Sequence, residues 1–334
     1  MSSPPSFLLI NVARIGDTLF ATPVMRAITS AYPGCLIAAL GHPKRVEVLQ
    51  ALPILHAVGA ITKYSAPWRG RLGGPRYDYA LVYGFDEHLV AYALRVADKV
   101  VAFRQKSAAL NRRLHRVVEE PPPRTKHAVP FRLTLTDALG IPPAGARLAY
   151  RVTPEEDARA RARLAVDVPA GSTPLVGMHV ATFPSKTFRR WPVECFAELA
   201  ERSLARWAGA HFLIYGGDEE PERTDWLKAR LGARATSYAA RLSLRETGAI
   251  MQRTDLYIGL DTGPTYVMSS FDIPLVALYH CAIPSRYVAP LDHPCARIID
   301  HPRLDRGDCS EDTPMAEIGV DTVFAAVESL LAGK

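Results

Sequence analysis

What most restricts the fold of this chain is an alternation. Short apolar, β-prone runs at 7–12, 36–40, 57–61, 78–83 and 99–103 are separated by stretches near 18–31, 43–51, 87–97 and 127–139 with helical spacing of apolar residues. The second half repeats the pattern, with strand-like runs at 175–180, 211–215, 234–238, 255–259 and 274–279 and helix-like runs at 192–207, 221–231, 243–252 and 264–271. Parallel strands need a crossover between them, and a helix is the usual crossover, so strands alternating with helices predict βαβ units and mostly parallel sheets. Between the halves, Gly140–Gly145 opens a linker, a charged helix over about 154–166 follows, and Pro169–Pro174 closes it. With 334 residues, the chain is long enough for two α/β domains, each with its own core. A last helix-like stretch, 315–332, carries an apolar face at 317, 320, 323, 324, 327, 330 and 331.

Composition narrows the class. Hydrophobic residues make up 48% of the chain, yet no apolar run reaches the ~20 residues of a membrane span. Met1–Ile10 has no basic n-region, so no signal peptide is expected and a cytoplasmic protein is. The five cysteines (35, 195, 281, 295 and 309) include no C-x-x-C pair, which predicts reduced thiols and neither a disulfide framework nor a zinc site. The net charge is +6, with a local concentration in Arg104, Lys106, Arg112, Arg113, Arg116, Arg124 and Lys126. Such a stripe suits an anionic glycan, lipid or polynucleotide, or is simply a solvated face. No nucleic-acid module and no interleaved aromatics accompany it, so nucleic acid is not expected as a partner.

Two strand-to-helix turns carry the chemistry. Asp255–Ile258 reads as a buried strand, Thr265–Phe271 as a helix start capped by Thr262 or Thr265, and Asp261-Thr262-Gly263 lies between them. Free backbone N–H groups at such a turn receive phosphate, and a glycine lets the backbone come close. Near the N-terminus, Phe7–Val12 leads into Arg14-Ile15-Gly16-Asp17-Thr18, and Pro23 suits the first turn of the helix that follows. Asp17 thus stands at the carboxyl edge of the first strand, where open α/β sheets bind ligands; its alternative role is to cap that helix. A G-x-G-x-x-G after the first strand is missing, which argues against a dinucleotide oxidoreductase.

These turns resemble a known family. R-I-G-D-T-L-x-A-T-P at the start, Arg189-Arg190-Trp191-Pro192 in the middle and D-x-x-I-G-x-D-T-G-P-T near residue 260 have the order and spacing of glycosyltransferase family nine, the lipopolysaccharide heptosyltransferases. The resemblance covers roughly residues 6 to 330. It implies the GT-B fold: two Rossmann-like domains facing across a cleft, 1–150 for the acceptor and 151–315 for the nucleotide sugar, with 316–334 as a C-terminal helix packing back on the first domain. It also implies an inverting, metal-independent transferase with no cofactor. The expected donor is ADP-heptose, or a UDP or GDP sugar, and the expected acceptor is lipopolysaccharide or another surface glycan. A bound nucleotide sugar without turnover is a further alternative.

By the same resemblance Asp17 is the base that deprotonates the acceptor hydroxyl. Asp261, Thr262, Gly263 and Thr182 serve the donor sugar and diphosphate, Glu220 its ribose, and Leu242 the base pocket. Leaving-group charge needs a cation or metal, and either Lys186 or Arg189 fills that role here, Arg189 standing where the family usually has lysine. Arg14, with the stripe residues Arg104, Lys106, Arg112 and Arg113, is assigned to an anionic acceptor, and peripheral contact with the cytosolic face of the inner membrane is expected. Three departures flank the donor site: Tyr266 replaces the usual histidine, Met268-Ser269-Ser270-Phe271 replaces a run of small residues, and His280-Cys281-Ala282-Ile283-Pro284 replaces a G-P-T segment.

Overall fold

The computed structural model describes residues 3–217 and 221–332. The chain divides into two compact units, Met1–Arg151 and Val152–Lys334. The first runs β1 (Ser6–Asn11), α1 (Ile15–Leu19), α2 (Thr22–Ala31), β2 (Leu36–Gly41), β3 (Ala57–Ala60), β4 (Tyr77–Tyr83), α3 (Glu87–Val96), β5 (Ala97–Phe103), α4 (Ala108–Asn111), β6 (Arg116–Val118) and α5 (Ala128–Asp137). Its six strands lie in the order β3-β2-β1-β4-β5-β6. All are parallel, and β1 is central, with Leu9 level with Ala39 on one side and Leu81 on the other. Leu8, Ile10, Ala80, Val82, Val100 and Ala102 are buried under α3 through Leu89, Val90 and Ala93. Strands apolar on both faces are what a sheet covered by crossover helices requires.

The second unit opens with α6 (Pro154–Asp167), then β7 (Leu175–His179), α7 (Val193–Arg206), β8 (His211–Tyr215), α8 (Pro221–Leu231), β9 (Ala235–Ser237), α9 (Leu244–Met251), β10 (Leu256–Leu260), α10 (Gly263–Met268), β11 (Leu275–Tyr279), β12 (Ala296–Asp300) and α11 (Val320–Leu331). Its parallel sheet has the order β12-β11-β10-β7-β8-β9. Counted within the unit this is the same 3-2-1-4-5-6 order as the first, so the strand order reverses once per sheet, between β1 and β4 and between β7 and β10. Such reversals open a crevice at the carboxyl ends of the strands.

Several expectations change on contact with the structure. The apolar face of the last helix, expected to pack back on the first domain, is buried in the second unit's own core, where Val323, Val327 and Leu331 lie with Phe196, Leu199 and Val276. The Trp191 indole, fully buried, donates to the Ile318 carbonyl at 2.8 Å and so ties the segment before that helix to the same core. The stretch near 43–51 forms only a 3-10 turn at Val46–Leu49. The stretch near 18–31 is two helices, with Pro23 in the first turn of the second. Two edge strands, β6 and β12, were not anticipated: both are short and only partly buried, so neither shows a long apolar run. Reduced thiols were expected, but Cys281 and Cys309 form a disulfide, which fastens the loop after β11 to the segment before α11. Cys35, Cys195 and Cys295 are not joined in disulfides.

Candidate functional site

In the first unit the candidate residues gather where β1 ends. Asn11, buried as the last residue of β1, donates from Nδ2 to the Asp17 carbonyl at 2.9 Å and fixes the turn. Arg14 is the N-cap of α1, and its carbonyl accepts from both the Thr18 amide (2.9 Å) and the Thr18 hydroxyl (2.8 Å). Asp17 therefore lies inside the first turn of α1, which removes the capping alternative. Its side chain is 42% exposed, and Oδ1 accepts from Arg132 Nη2 at 2.9 Å. Oδ2 has no partner among the described residues.

Arg132 was not anticipated. It comes from α5, far along the chain, and lies 12% exposed with its guanidinium 5.0 Å from the Phe131 ring and 5.8 Å from the Tyr83 ring. The Tyr83 hydroxyl donates to the Arg132 carbonyl at 3.2 Å. Only the arginine within the largely apolar stretch Ala128–Leu135 pointed to it, since a cation on such a helix needs an acid nearby.

The basic stripe is exposed at Arg104, Lys106, Arg112 and Arg113, around α4 and the edge strand β6. Arg104 is ion-paired with Glu119, so part of its charge is already balanced.

A separate set of candidate residues, in the second unit, lies on the turn after β10. Gly259 is needed there: a Cβ would lie 2.5 Å from the Tyr257 ring and 2.6 Å from Thr265 Oγ1. Asp261 is buried, and its carboxylate receives Arg189 Nη1 at 2.7 Å and the Tyr266 hydroxyl. The same Nη1 donates to the Asp261 carbonyl at 3.0 Å. Tyr266, the replacement for the usual histidine, is thus a phenol donor to Asp261; burial first, and then the Asp261 charge, raise its pKa well above the ordinary value. The carboxylate expected to meet sugar hydroxyls is engaged inside the protein, where it holds Arg189 in place.

Thr262 takes the N-cap position of α10, but its side chain does not cap. Its hydroxyl instead lies 3.3 Å from His179 Nδ1, and Thr265 donates to the Leu260 carbonyl at 2.6 Å. Gly263 is the first residue of α10. His179, the last residue of β7, is pushed down to about 4 by burial, so the ring is neutral. Thr182, just beyond β7, is buried.

Lys186 and Arg189, the two cations named for the leaving group, share a short irregular stretch and have different surroundings. Arg189 is 16% exposed and holds Asp261, whereas Lys186 is 31% exposed with its nearest acid, Glu311, 3.9 Å away. Phe188 lies between them in sequence and meets His280 edge-on at 5.0 Å. His280 Nε2 donates to the Thr313 carbonyl at 2.8 Å, and its contact with Phe188 packs the replacement segment after β11 against the cation loop.

Beside the 260s turn is a cavity of about 370 Å³, lined by His179, Tyr215, Gly216, Gly217, Tyr238, Ala240, Leu242, Leu244, Thr247 and Pro264. Leu242 is where a base pocket was expected to find it. His179 and Pro264 place the cavity at the carboxyl ends of β7 and β10, the reversal point of this sheet. Glu220, assigned to ribose, lies outside the described residues. Tyr215 and Tyr238, stacked at 6.4 Å, were not anticipated as lining; both ride on strand ends that read simply as core.

Comparison with known proteins gives this arrangement a context. Residues 69–301 match the family model of glycosyltransferase family 9 (heptosyltransferase). The lipopolysaccharide core heptosyltransferase OpsX of Haemophilus influenzae is 20% identical over 98% of this chain and 97% of its own. Among solved structures, the family 9 glycosyl transferase of Veillonella parvula superposes with a TM-score of 0.84 at 18% identity, covering 100% of this chain and 99% of that one. The Escherichia coli ADP-heptose LPS heptosyltransferase II superposes at 0.79 with 19% identity over 98% of each. At such identities the superpositions speak for the fold, while the matched family model spans most of the chain. The chain belongs to glycosyltransferase family 9 and is a glycosyltransferase of the GT-B fold.

Proposed function

We propose that this chain transfers a heptose from ADP-heptose to a lipopolysaccharide-type acceptor, with inversion at the anomeric carbon and without a metal ion. The observation that carries this reading is Asp17, whose carboxylate has one oxygen fixed by Arg132 and the other open. A base that takes a proton in the transition state must be oriented and must keep a free lone pair. Attack by the deprotonated hydroxyl on the face opposite the leaving nucleotide passes through an oxocarbenium-like state and inverts the centre.

The donor belongs in the second unit. The 370 Å³ cavity offers the Tyr215 and Tyr238 rings and Leu242 to a nucleobase. The adjoining turn offers the Thr262 and Gly263 backbone to a diphosphate. Charge on the departing diphosphate falls to Lys186, the more exposed and less firmly paired of the two candidates. Arg189, balanced by Asp261, acts as a positioning residue for the loop. ADP is favoured as the nucleotide because one of the structurally similar proteins is an ADP-heptose transferase. The exposed stripe Arg104, Lys106, Arg112 and Arg113 receives the anionic acceptor, with Arg14 at the rim of the Asp17 turn, and the enzyme works against the cytosolic face of the inner membrane.

A thermal-shift panel with ADP, UDP, GDP and CMP, with and without EDTA, tests the donor. A ligand that binds only the folded state raises apparent stability. A shift with ADP alone, unchanged by EDTA, is the expected result. A shift with UDP or GDP alone moves the donor, and loss of the ADP shift in EDTA brings a metal back.

A further inference from the structure

Between β3 and β4 lies a loop that carries its apolar side chains outward. Tyr64 is 77% exposed, Trp68 75% and Leu72 fully exposed. These three stand four residues apart, and each aromatic has a cation over it: Lys63 Nζ lies 5.1 Å from the Tyr64 ring and the Arg71 guanidinium 5.5 Å from the Trp68 ring. No aspartate or glutamate occurs anywhere in residues 48–77.

The loop is built rather than slack. Ala66 is fully buried, and the Ala66 amide donates to the Thr62 carbonyl at 2.9 Å. Arg95, from the last turn of α3, donates to the Ala66 carbonyl at 2.5 Å and to the Arg69 carbonyl at 3.1 Å. Arg69 donates to the Ala60 carbonyl at 2.7 Å, and Arg71 to the Pro67 carbonyl at 2.7 Å. Gly70, at φ +70°, is pressed so close to α3 that a Cβ would fall 2.6 Å from Val96 Cγ1. A loop with this many anchors could have turned Trp68 inward, and it holds the ring in solvent instead. The positive field also extends beyond the loop. Burial first, and then the Arg71 charge, lower the pKa of the Arg95 guanidinium against the opposing effect of Tyr92, with Arg113 adding a smaller lowering.

We propose that the loop 62–72 is a peripheral membrane anchor, with Tyr64, Trp68 and Leu72 entering the interface of an anionic bilayer and Lys63, Arg69 and Arg71 facing its headgroups. Aromatic rings with a polar end, and long cationic side chains with apolar stems, both come to rest at that depth. Basic residues next to the surface add attraction that salt weakens. The charge of the loop selects an anionic bilayer over a second copy of this chain, since two such faces would repel. This inference rests on the reading above only in assigning a membrane-borne acceptor.

The test is co-sedimentation of the full chain with vesicles, either phosphatidylethanolamine with phosphatidylglycerol or phosphatidylcholine alone, beside the ADP thermal shift of the same samples. Wild-type protein is expected to bind the anionic vesicles and to release as salt rises. The combined change Tyr64→Ser, Trp68→Ser and Leu72→Ser is expected to weaken binding at least about tenfold, with the ADP shift unchanged. The pair Lys63→Glu and Arg71→Glu is expected to do the same. Equal binding by the serine variant, equal binding to neutral vesicles, or self-association through the loop in place of vesicle binding would each overturn the anchor. Loss of the ADP shift in wild-type protein would instead strike the donor reading and leave this one standing.

Discussion

At the scale of single residues, the first unit turns on one ion pair. Asp17 is the base of the proposed reaction, and Arg132 sets its direction by holding Oδ1 at 2.9 Å. Asp17→Ala is expected to lower kcat by about 10²–10⁴-fold, the usual share of a general base. Arg132→Ala keeps the carboxylate but lets it turn, and is expected to lower kcat by about 10²-fold, the cost of an ångström of misplacement, while leaving the KM for the donor nearly unchanged. Steady-state kinetics of both variants check this, and an Arg132 variant at full kcat would remove its positioning role. In the second unit, His179 provides a signature in pH. Its folded pKa of about 4 lies below the ordinary value near 6.5, so the unfolded chain takes up the proton first. Stability from this group is whole above pH 6.5, is lost as pH falls toward 4, and amounts to about 3 kcal/mol at most. Urea midpoints measured from pH 7 to 4.5 should fall less steeply for His179→Asn than for wild-type protein.

At the scale of elements, the disulfide and the Trp-Pro segment explain how an irregular loop keeps its cations in place. Trp191 packs edge-on against Phe196 at 4.8 Å while its indole reaches the Ile318 carbonyl, so the loop ending at Trp191 is fixed at one end. Phe188 against His280 fixes it again, one residue before Cys281. Closing a loop of 28 residues by the Cys281–Cys309 bond restricts the unfolded chain and is worth about 3.5 kcal/mol in the entropic account. Thermal unfolding of the oxidised protein should therefore drop on adding dithiothreitol, and Cys281→Ser should melt low with or without it; no response in the wild type would mean the bond is absent in solution. The alternation of strands and helices was readable because each central strand is apolar on both faces. The edge strands β6 and β12 were not, because half of each faces solvent and its pattern merges with the loops. Asp17 and the 260s turn were readable because both lie on short signature turns. Arg132 and the Tyr215–Tyr238 pair were not, because what brings Arg132 to Asp17 and Tyr215 to Tyr238 is tertiary distance, which no local spacing records.

At the scale of the whole molecule, every strand among the described residues pairs within its own unit, and each unit has its own buried core. The lining of the 370 Å³ cavity comes entirely from the second unit. A fragment starting at Val152 is thus expected to fold alone and to keep an ADP-induced thermal shift, which differential scanning fluorimetry would show; a fragment that folds but ignores ADP would mean the first unit supplies part of the donor site. The shared 3-2-1-4-5-6 strand order has a consequence for descent. Two halves of one plan, joined at a single crossing near residue 151, form a chain in which each half can accumulate change under its own selection. If the first unit receives the acceptor and the second the donor, as proposed, recombination at that crossing would exchange the acceptor while keeping the grip on the activated sugar.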